Sequence, residues 1–168
     1  GLTFTTYYND DGSDDVFQPK PKIQHTAAST FTWNFQGDGL HLIENLSFVN
    51  CSSNANGGSI GGGLVAATSV GAKLHIKNCD FLNIAFNAIR VAESGAAASP
   101  YVKIEHCYFN NIGEDSFYGG SLYFEFAYNR VTNVSVGTET GDGVGVIGVN
   151  PTLAWIHNNY IDHSSTGF

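Results

Sequence analysis

The stretch AKLHIKNCDFLNIAFNAIRV, Ala72 to Val91, decides the fold, because its apolar pattern recurs along most of the chain. It holds an alternating strand (Leu74, Ile76), a second short strand (Cys79, Phe81) ending at Asn83, and a third apolar turn at Ile89 and Val91. With Phe81 aligned on Phe48, Phe109, Val131 and Ile161, the flanking residues fall into columns. Five residues before the anchor stand Ile43, Ile76, Ile104, Phe126 and Ile156; two before stand Leu46, Cys79, Cys107, Asn129 and Asn159. Two after stand Asn50, Asn83, Asn111, Asn133 and His163. The anchors are 33, 28, 22 and 30 residues apart, an imperfect internal repeat of the length that marks a solenoid.

The likeness lies between equivalent strands one repeat apart, not between sequence neighbours, which is the pattern of parallel stacking and not of hairpins. Each coil then climbs about 4.8 Å and hydrogen-bonds to the next. The Ile43 and Phe48 columns form an inward apolar ladder, while outward positions are polar and change from coil to coil. The column Glu44, Lys77, Glu105, Ala127, His157 reads as solvated cross-strand charge pairs. The third-strand position is taken by Ile60 or Leu64, then by Ile89, Phe117 and Val144 to Val146, after the insertion SVGTETGDG at 135–143. The expected fold is therefore all-β, a parallel β-helix of about five coils over residues 40–168, or roughly 24 Å of stack.

Residues 1–39 do not fit the repeat. They carry LTFTTYY, the acidic turn NDDGSDD (9–15), the breaker PKPK (19–22) and the alternating STFTWNF (29–35). An open solenoid end exposes apolar side chains and unpaired backbone groups, so this segment is expected to be an N-terminal β cap or connecting segment. Gly1 at the start and the absence of Met suggest a processed or trimmed chain, and Phe168 stops on a core position. A longer protein or an oligomer in which another subunit packs on that end is expected.

The formal charge of −8 argues against nucleic acid and anionic membrane surfaces as partners, and is mildly unfavourable for a polyanion too unless Lys73, Lys77, Arg90 and Lys103 form a local basic patch. No apolar run is long enough to cross a bilayer, and no signal-peptide pattern is read at the start. Three cysteines leave at least one unpaired; Cys79 and Cys107 share a column and are expected to be stacked, buried free thiols. No CxxC or His spacing supports metal ligation by cysteine, and NDDGSDD lacks the Glu that an EF-hand loop requires. His106 and His163 fall at bends, where they replace Asn as turn residues. Asn45, Asn50 and Asn133 match the N-x-S sequon, but Asn50 and Asn133 belong to the bend column and are expected to be poor glycan sites.

The Asn column, with NCDFLN and HCYFNN as instances, resembles the asparagine ladder at the tight bend of right-handed parallel β-helices of the pectate-lyase-like superfamily. Asn tolerates the left-handed backbone of a sharp bend, and its amide can bond the equivalent amide one coil above. The resemblance covers roughly residues 40–168 and implies a right-handed solenoid. The superfamily includes polysaccharide lyases, glycoside hydrolases, epimerases, viral tailspikes and non-enzymatic adhesins, so the resemblance does not choose among activities. The Gly-His-Gly, Asp-Pro-His-Asp and Arg-Ile-Lys motifs of its pectin hydrolases and alginate epimerases are absent, as are GxSxG, the P-loop and dinucleotide fingerprints.

Two residues before the third-strand anchors stand Asn87, Asp115, Asp142 and Thr166, which places Asp115 and Asp142 on adjacent coils of one column. Two carboxylates so close make a candidate acid and base or nucleophile, with Arg90 nearby; the same pair could hold Ca²⁺ or simply form turns. Glu114 and Glu139 lie beside them in sequence, and Arg90 shares a column with Tyr118. Tyr108 and Tyr160 share an outward column with Ser47, Asp80 and Arg130, and Trp155 shares another with His75, Lys103 and Glu125; these aromatics are candidate platforms for sugar rings. The leading expectation is a structural, carbohydrate-facing module of a viral (tailspike-like, trimeric) or bacterial surface assembly, extracellular or on the virion, that binds polysaccharide without a cofactor. The alternatives are a polysaccharide lyase or glycosidase centred on Asp115 and Asp142, and a purely structural spacer.

Overall fold

A computed structural model of the chain describes residues 20–23, 34–35, 39–51, 64–66, 73–91, 101–119, 121–134 and 153–164. Among them the fold is all-β, without helices, and every strand pairing is parallel. In chain order the strands are β1 (Lys22–Ile23), β2 (Asn34–Phe35), β3 (Leu40–Glu44), β4 (Ser47–Val49), β5 (Leu64–Ala66), β6 (Lys73–Lys77), β7 (Asp80–Ile84), β8 (Ile89–Arg90), β9 (Tyr101–Glu105), β10 (Tyr108–Ile112), β11 (Phe117–Tyr118), β12 (Tyr123–Ala127), β13 (Arg130–Val134), β14 (Leu153–His157) and β15 (Tyr160–Ser164).

They form three sheets: β1-β4-β7-β10-β13-β15 (sheet A), β11-β8-β5-β2 (sheet B) and β14-β12-β9-β6-β3 (sheet C). From β3 to β12 the chain visits C, A and B in strict rotation and returns each time one strand further along the same sheet. The register matches the sequence columns: Phe48 faces Phe81, then Phe109, Val131 and Ile161 across sheet A, and Ile43 faces Ile76 and Ile104 across sheet C. Leu64 pairs with Ile89, while Ile60 lies outside the described residues. The described parts of the first 39 residues extend the stack, β1 beside β4 and β2 beside β5. Val144, Val146 and the insertion at 135–143 lie outside the described residues, as does NDDGSDD.

Alternation supplies the core. Leu74, Ile76, Val102, Ile104, Phe124 and Phe126 of sheet C point inward and are essentially fully buried, against Phe81, Ile84, Phe109 and Ile112 of sheet A. Phe48, Phe81 and Phe109 stack in a column with centroids 5.0 and 4.9 Å apart and ring planes 3° and 5° apart. Cys79 and Cys107 are buried free thiols, the Cys79 amide donating to Cys107 Sγ at 3.5 Å. Where a repeat lacks Cys, Asn takes over: Asn129 Oδ1 accepts from the Cys107 amide and Asn159 Oδ1 from the Asn129 amide, both at 2.8 Å. Such side-chain bonds satisfy backbone donors where the strands break.

Two bends per repeat use left-handed backbone. At the ends of β4, β7, β10 and β13, Asn50, Asn83, Asn111 and Asn133 have φ between 54° and 58°. Asn83 Nδ2 donates to Asn50 Oδ1 at 2.9 Å and Asn111 Nδ2 to Asn83 Oδ1 at 2.8 Å, a ladder of amides along the stack. Between sheets C and A a single residue makes the bend: Asn45, Asn78, His106, Tyr128 or Asn158. Gly119, at φ 136°, passes so close to Val91 that a Cβ would collide with its carbonyl, which brings β11 alongside β8.

Candidate functional face

Sheet C presents a connected cluster of polar and aromatic side chains. Val102 and Ile104 of β9 point inward, so Tyr101, Lys103 and Glu105 point out; the same alternation puts Tyr123 and Glu125 of β12 outward. Parallel register then aligns His75, Lys103, Glu125 and Trp155 in one row and Lys77, Glu105, Ala127 and His157 in the next. Because Ala127 carries no charge, Glu105 has no charged partner on the β12 side of its own row; it bonds to Lys103 two residues back on its own strand and diagonally to His75.

One ammonium ties the two rows together. Lys103 Nζ lies 3.1 Å from Glu105 Oε2 and 3.5 Å from Glu125 Oε1. His75 Nε2 is 2.9 Å from Glu105 Oε1, His157 Nε2 is 3.5 Å from Glu125 Oε1, and the Tyr123 hydroxyl donates to Glu125 Oε2 at 2.7 Å. Partial burial pushes both carboxyls up, but the bonds from His75 and Lys103 to Glu105, and from Tyr123, Lys103 and His157 to Glu125, outweigh it and hold both below the ordinary range. The bond to Glu105 raises the Lys103 ammonium, and the bond to Glu125 pushes the Tyr123 phenol up to about 12. At neutral pH the network is therefore two carboxylates around one ammonium, with the phenol protonated. The two carboxylates therefore act as fixed hydrogen-bond acceptors, held in place by the ammonium and the phenol.

Aromatic rings border the charges. Tyr101 and Tyr123 stack at 4.9 Å and 6°, and Trp155 stands at 64° to Tyr123 with centroids 6.3 Å apart. Trp155 is 52% exposed, in register with Glu125. Beyond the strand end, Tyr128 stacks on His106 at 5.1 Å and meets His157 edge-on at 5.6 Å.

The other candidate residues occupy different surfaces. Tyr108 and Tyr160 lie on sheet A, where the Arg130 guanidinium sits over both rings at 5.6 Å, so that their facing sides are already covered. Arg90 and Tyr118 share a row of sheet B, as their column implied, with the guanidinium 4.9 Å over the ring. Asp115 is buried at 6% exposure, next to Asn87 in the preceding repeat: its amide donates to Asn87 Oδ1 at 3.2 Å, while Asn87 Nδ2 donates to Glu114 Oε2 at 2.8 Å. Asp142 and Glu139 lie outside the described residues, so the Asp115–Asp142 pair is seen from one side only. The basic candidates also separate: Arg90 is on sheet B, while on sheet C Lys77 pairs with Glu44 at 3.5 Å and Lys103 with the two glutamates. No group of three or more His, Cys, Asp or Glu side chains among the described residues is arranged to hold a metal ion, and no described helix is long and apolar enough to cross a membrane.

Comparison with protein-family models, with curated proteins and with solved structures finds no match for this chain. Functional inference therefore rests on the geometry of the faces themselves. The Lys103, Glu105, Glu125 and Tyr123 cluster escapes a column-by-column reading of the sequence because only its Lys103–Glu125 pair lies within a column, while Lys103–Glu105 and Tyr123–Glu125 run between columns. The available signal is the KIE spacing of Lys103 and Glu105 beside an Ala gap at position 127.

Proposed function

We propose that the chain is a right-handed parallel β-helix, similar to those of the pectate-lyase-like superfamily, and that it serves as a carbohydrate-facing module of a viral or bacterial surface assembly. The cyclic visiting of three parallel sheets and the Asn ladder support the fold. The observation that carries the function is the outer face of sheet C, where a half-exposed Trp155 adjoins a fixed array of charged hydrogen-bonding groups. Sugar rings are bound by this combination: apolar C–H faces lie on aromatic rings while hydroxyls donate to immobilised carboxylates. An extracellular or virion-surface setting and a homo-oligomer or larger assembly go with this reading.

The test is binding of the full chain to a panel of polysaccharides, followed by Trp155→Ala. Loss of a central aromatic contact of about 1.4 kcal/mol or more lowers affinity at least about tenfold, while Lys22→Ala on sheet A changes nothing. A chain that binds no polysaccharide, or binds equally well without the indole, refutes the proposal.

A second reading, a polysaccharide lyase or glycosidase using Asp115 and Asp142, is favoured by one observation. Asp115 is the only charged side chain buried among the described residues, and buried carboxyls are the usual material of acid–base pairs.

A further inference from the structure

The bend between sheets C and A has φ between 49° and 59° in each described repeat, and three of its five occupants are Asn. Asn is suited to this left-handed conformation because its short amide bonds locally, whereas a bulky aromatic residue there is an outlier. Tyr128 is that outlier, at φ 55°. It is also 50% exposed, so burial of the ring does not explain it. Strained conformations held by bulky residues at a surface point toward binding.

Tyr128 is continuous with the face already described. His157 meets the Tyr128 ring at 5.6 Å and reaches Glu125 Oε1 at 3.5 Å, and Glu125 stands in register with Trp155. Trp155 and His157 project from the same side of β14, roughly 7 Å apart along the strand. Two exposed aromatic rings are thus joined by an imidazole and a carboxylate.

The charges of this face bear on what it accepts. Lys103 is shared between Glu105 and Glu125, so two carboxylates stand around one ammonium. Of the other lysines on sheet C, Lys77 pairs with Glu44, and Lys73, on β6 in register with Tyr101, lies three strands away from Trp155. The chain as a whole carries −8. A uronate or sulfate group would meet carboxylates here, at short range and in a partly dehydrated setting. An uncharged sugar brings only hydroxyl donors, which carboxylates accept.

We infer that Tyr128 is a second stacking platform, and that the face running from Trp155 over His157 to Tyr128 binds an uncharged saccharide chain. This rests on the carbohydrate reading above and adds to it a residue and a ligand class.

The experiment measures binding of the full chain to neutral glucan, mannan and galactan oligosaccharides and to oligogalacturonates of equal length, with thermal unfolding in parallel. Tyr128→Asn installs the residue that other repeats use at this bend. It is expected to weaken neutral-glycan binding by about tenfold while holding or raising the melting temperature, and Tyr128→Phe is expected to keep both. Three results overturn the inference: Tyr128→Asn binding as wild type while Trp155→Ala is impaired; oligogalacturonate binding as tightly as the neutral chains; or Tyr128→Asn losing binding together with several degrees of melting temperature, which marks a structural residue. Failure of wild type to bind any glycan, or indifference of binding to both substitutions, overturns the carbohydrate reading itself and this inference with it.

Discussion

The phenylalanine column permits a quantitative test of the parallel stack. Phe48, Phe81 and Phe109 are 33 and 28 residues apart in sequence, yet their rings stack at 5.0 and 4.9 Å and each is fully buried. Phe→Leu at each position keeps most of the buried apolar volume and removes the ring. Each single change is expected to cost about 1–2 kcal/mol, within a stability of about 5–15 kcal/mol, so the variants stay folded. An aromatic pair contributes about 0.5–1.5 kcal/mol beyond its buried area. Double-mutant cycles on urea unfolding followed by far-UV circular dichroism should therefore give a coupling of that size for Phe48 with Phe81 and for Phe81 with Phe109. The outer pair, Phe48 and Phe109, is separated by the middle ring and should be additive within about 0.5 kcal/mol. A coupling between the outer rings equal to that of the neighbours, or no coupling at any pair, would refute the stacking order on which every other inference depends.

Further outcomes follow from the same geometry. Glu105 and Glu125 are held below the ordinary carboxyl value, so the stability they contribute is present above that value and lost as pH falls through their folded values. The melting temperature of wild type should drop between about pH 5 and pH 3, and the double variant Glu105→Gln, Glu125→Gln should show a flatter profile; equal slopes would contradict the network. Asn83→Ala removes a rung that both donates and accepts and leaves an Ala at φ 55°, at an expected cost of about 2 kcal/mol in urea unfolding, with Asn83→Gly recovering the backbone part. For the enzymatic reading, Asp115→Ala combined with Asp142→Ala should abolish any polysaccharide turnover; turnover that survives both changes removes it.

The repeats were legible in the sequence because two local signals coincide in each of them. Alternating β-branched and aromatic residues mark the strand, and a residue tolerant of left-handed backbone marks where it turns, so Asn83 could be placed at a bend and Phe81 on the core side of it without knowledge of any partner. Parallel stacking then turns a sequence offset directly into a spatial neighbour, which is why the columns and the register agree from Ser47 to Tyr160. The same directness fails on the outer faces. A long charged side chain reaches about as far diagonally as straight across, so which carboxylate an ammonium selects depends on what its own row leaves vacant. Glu44 and Lys77 pair within their row, as expected from the alternating charges, but Ala127 breaks that row and turns Glu105 toward Lys103 and His75. The second bend was legible only in part, at His106, which could be placed at a bend as a substitute for Asn. His106 and Tyr128 interrupt its Asn signal, and the physical interest of Tyr128 lies in that interruption: a residue poorly suited to its backbone, placed where a ring can meet solvent. The core obeys local rules closely enough to be read, and the candidate functional face is found where those rules are broken.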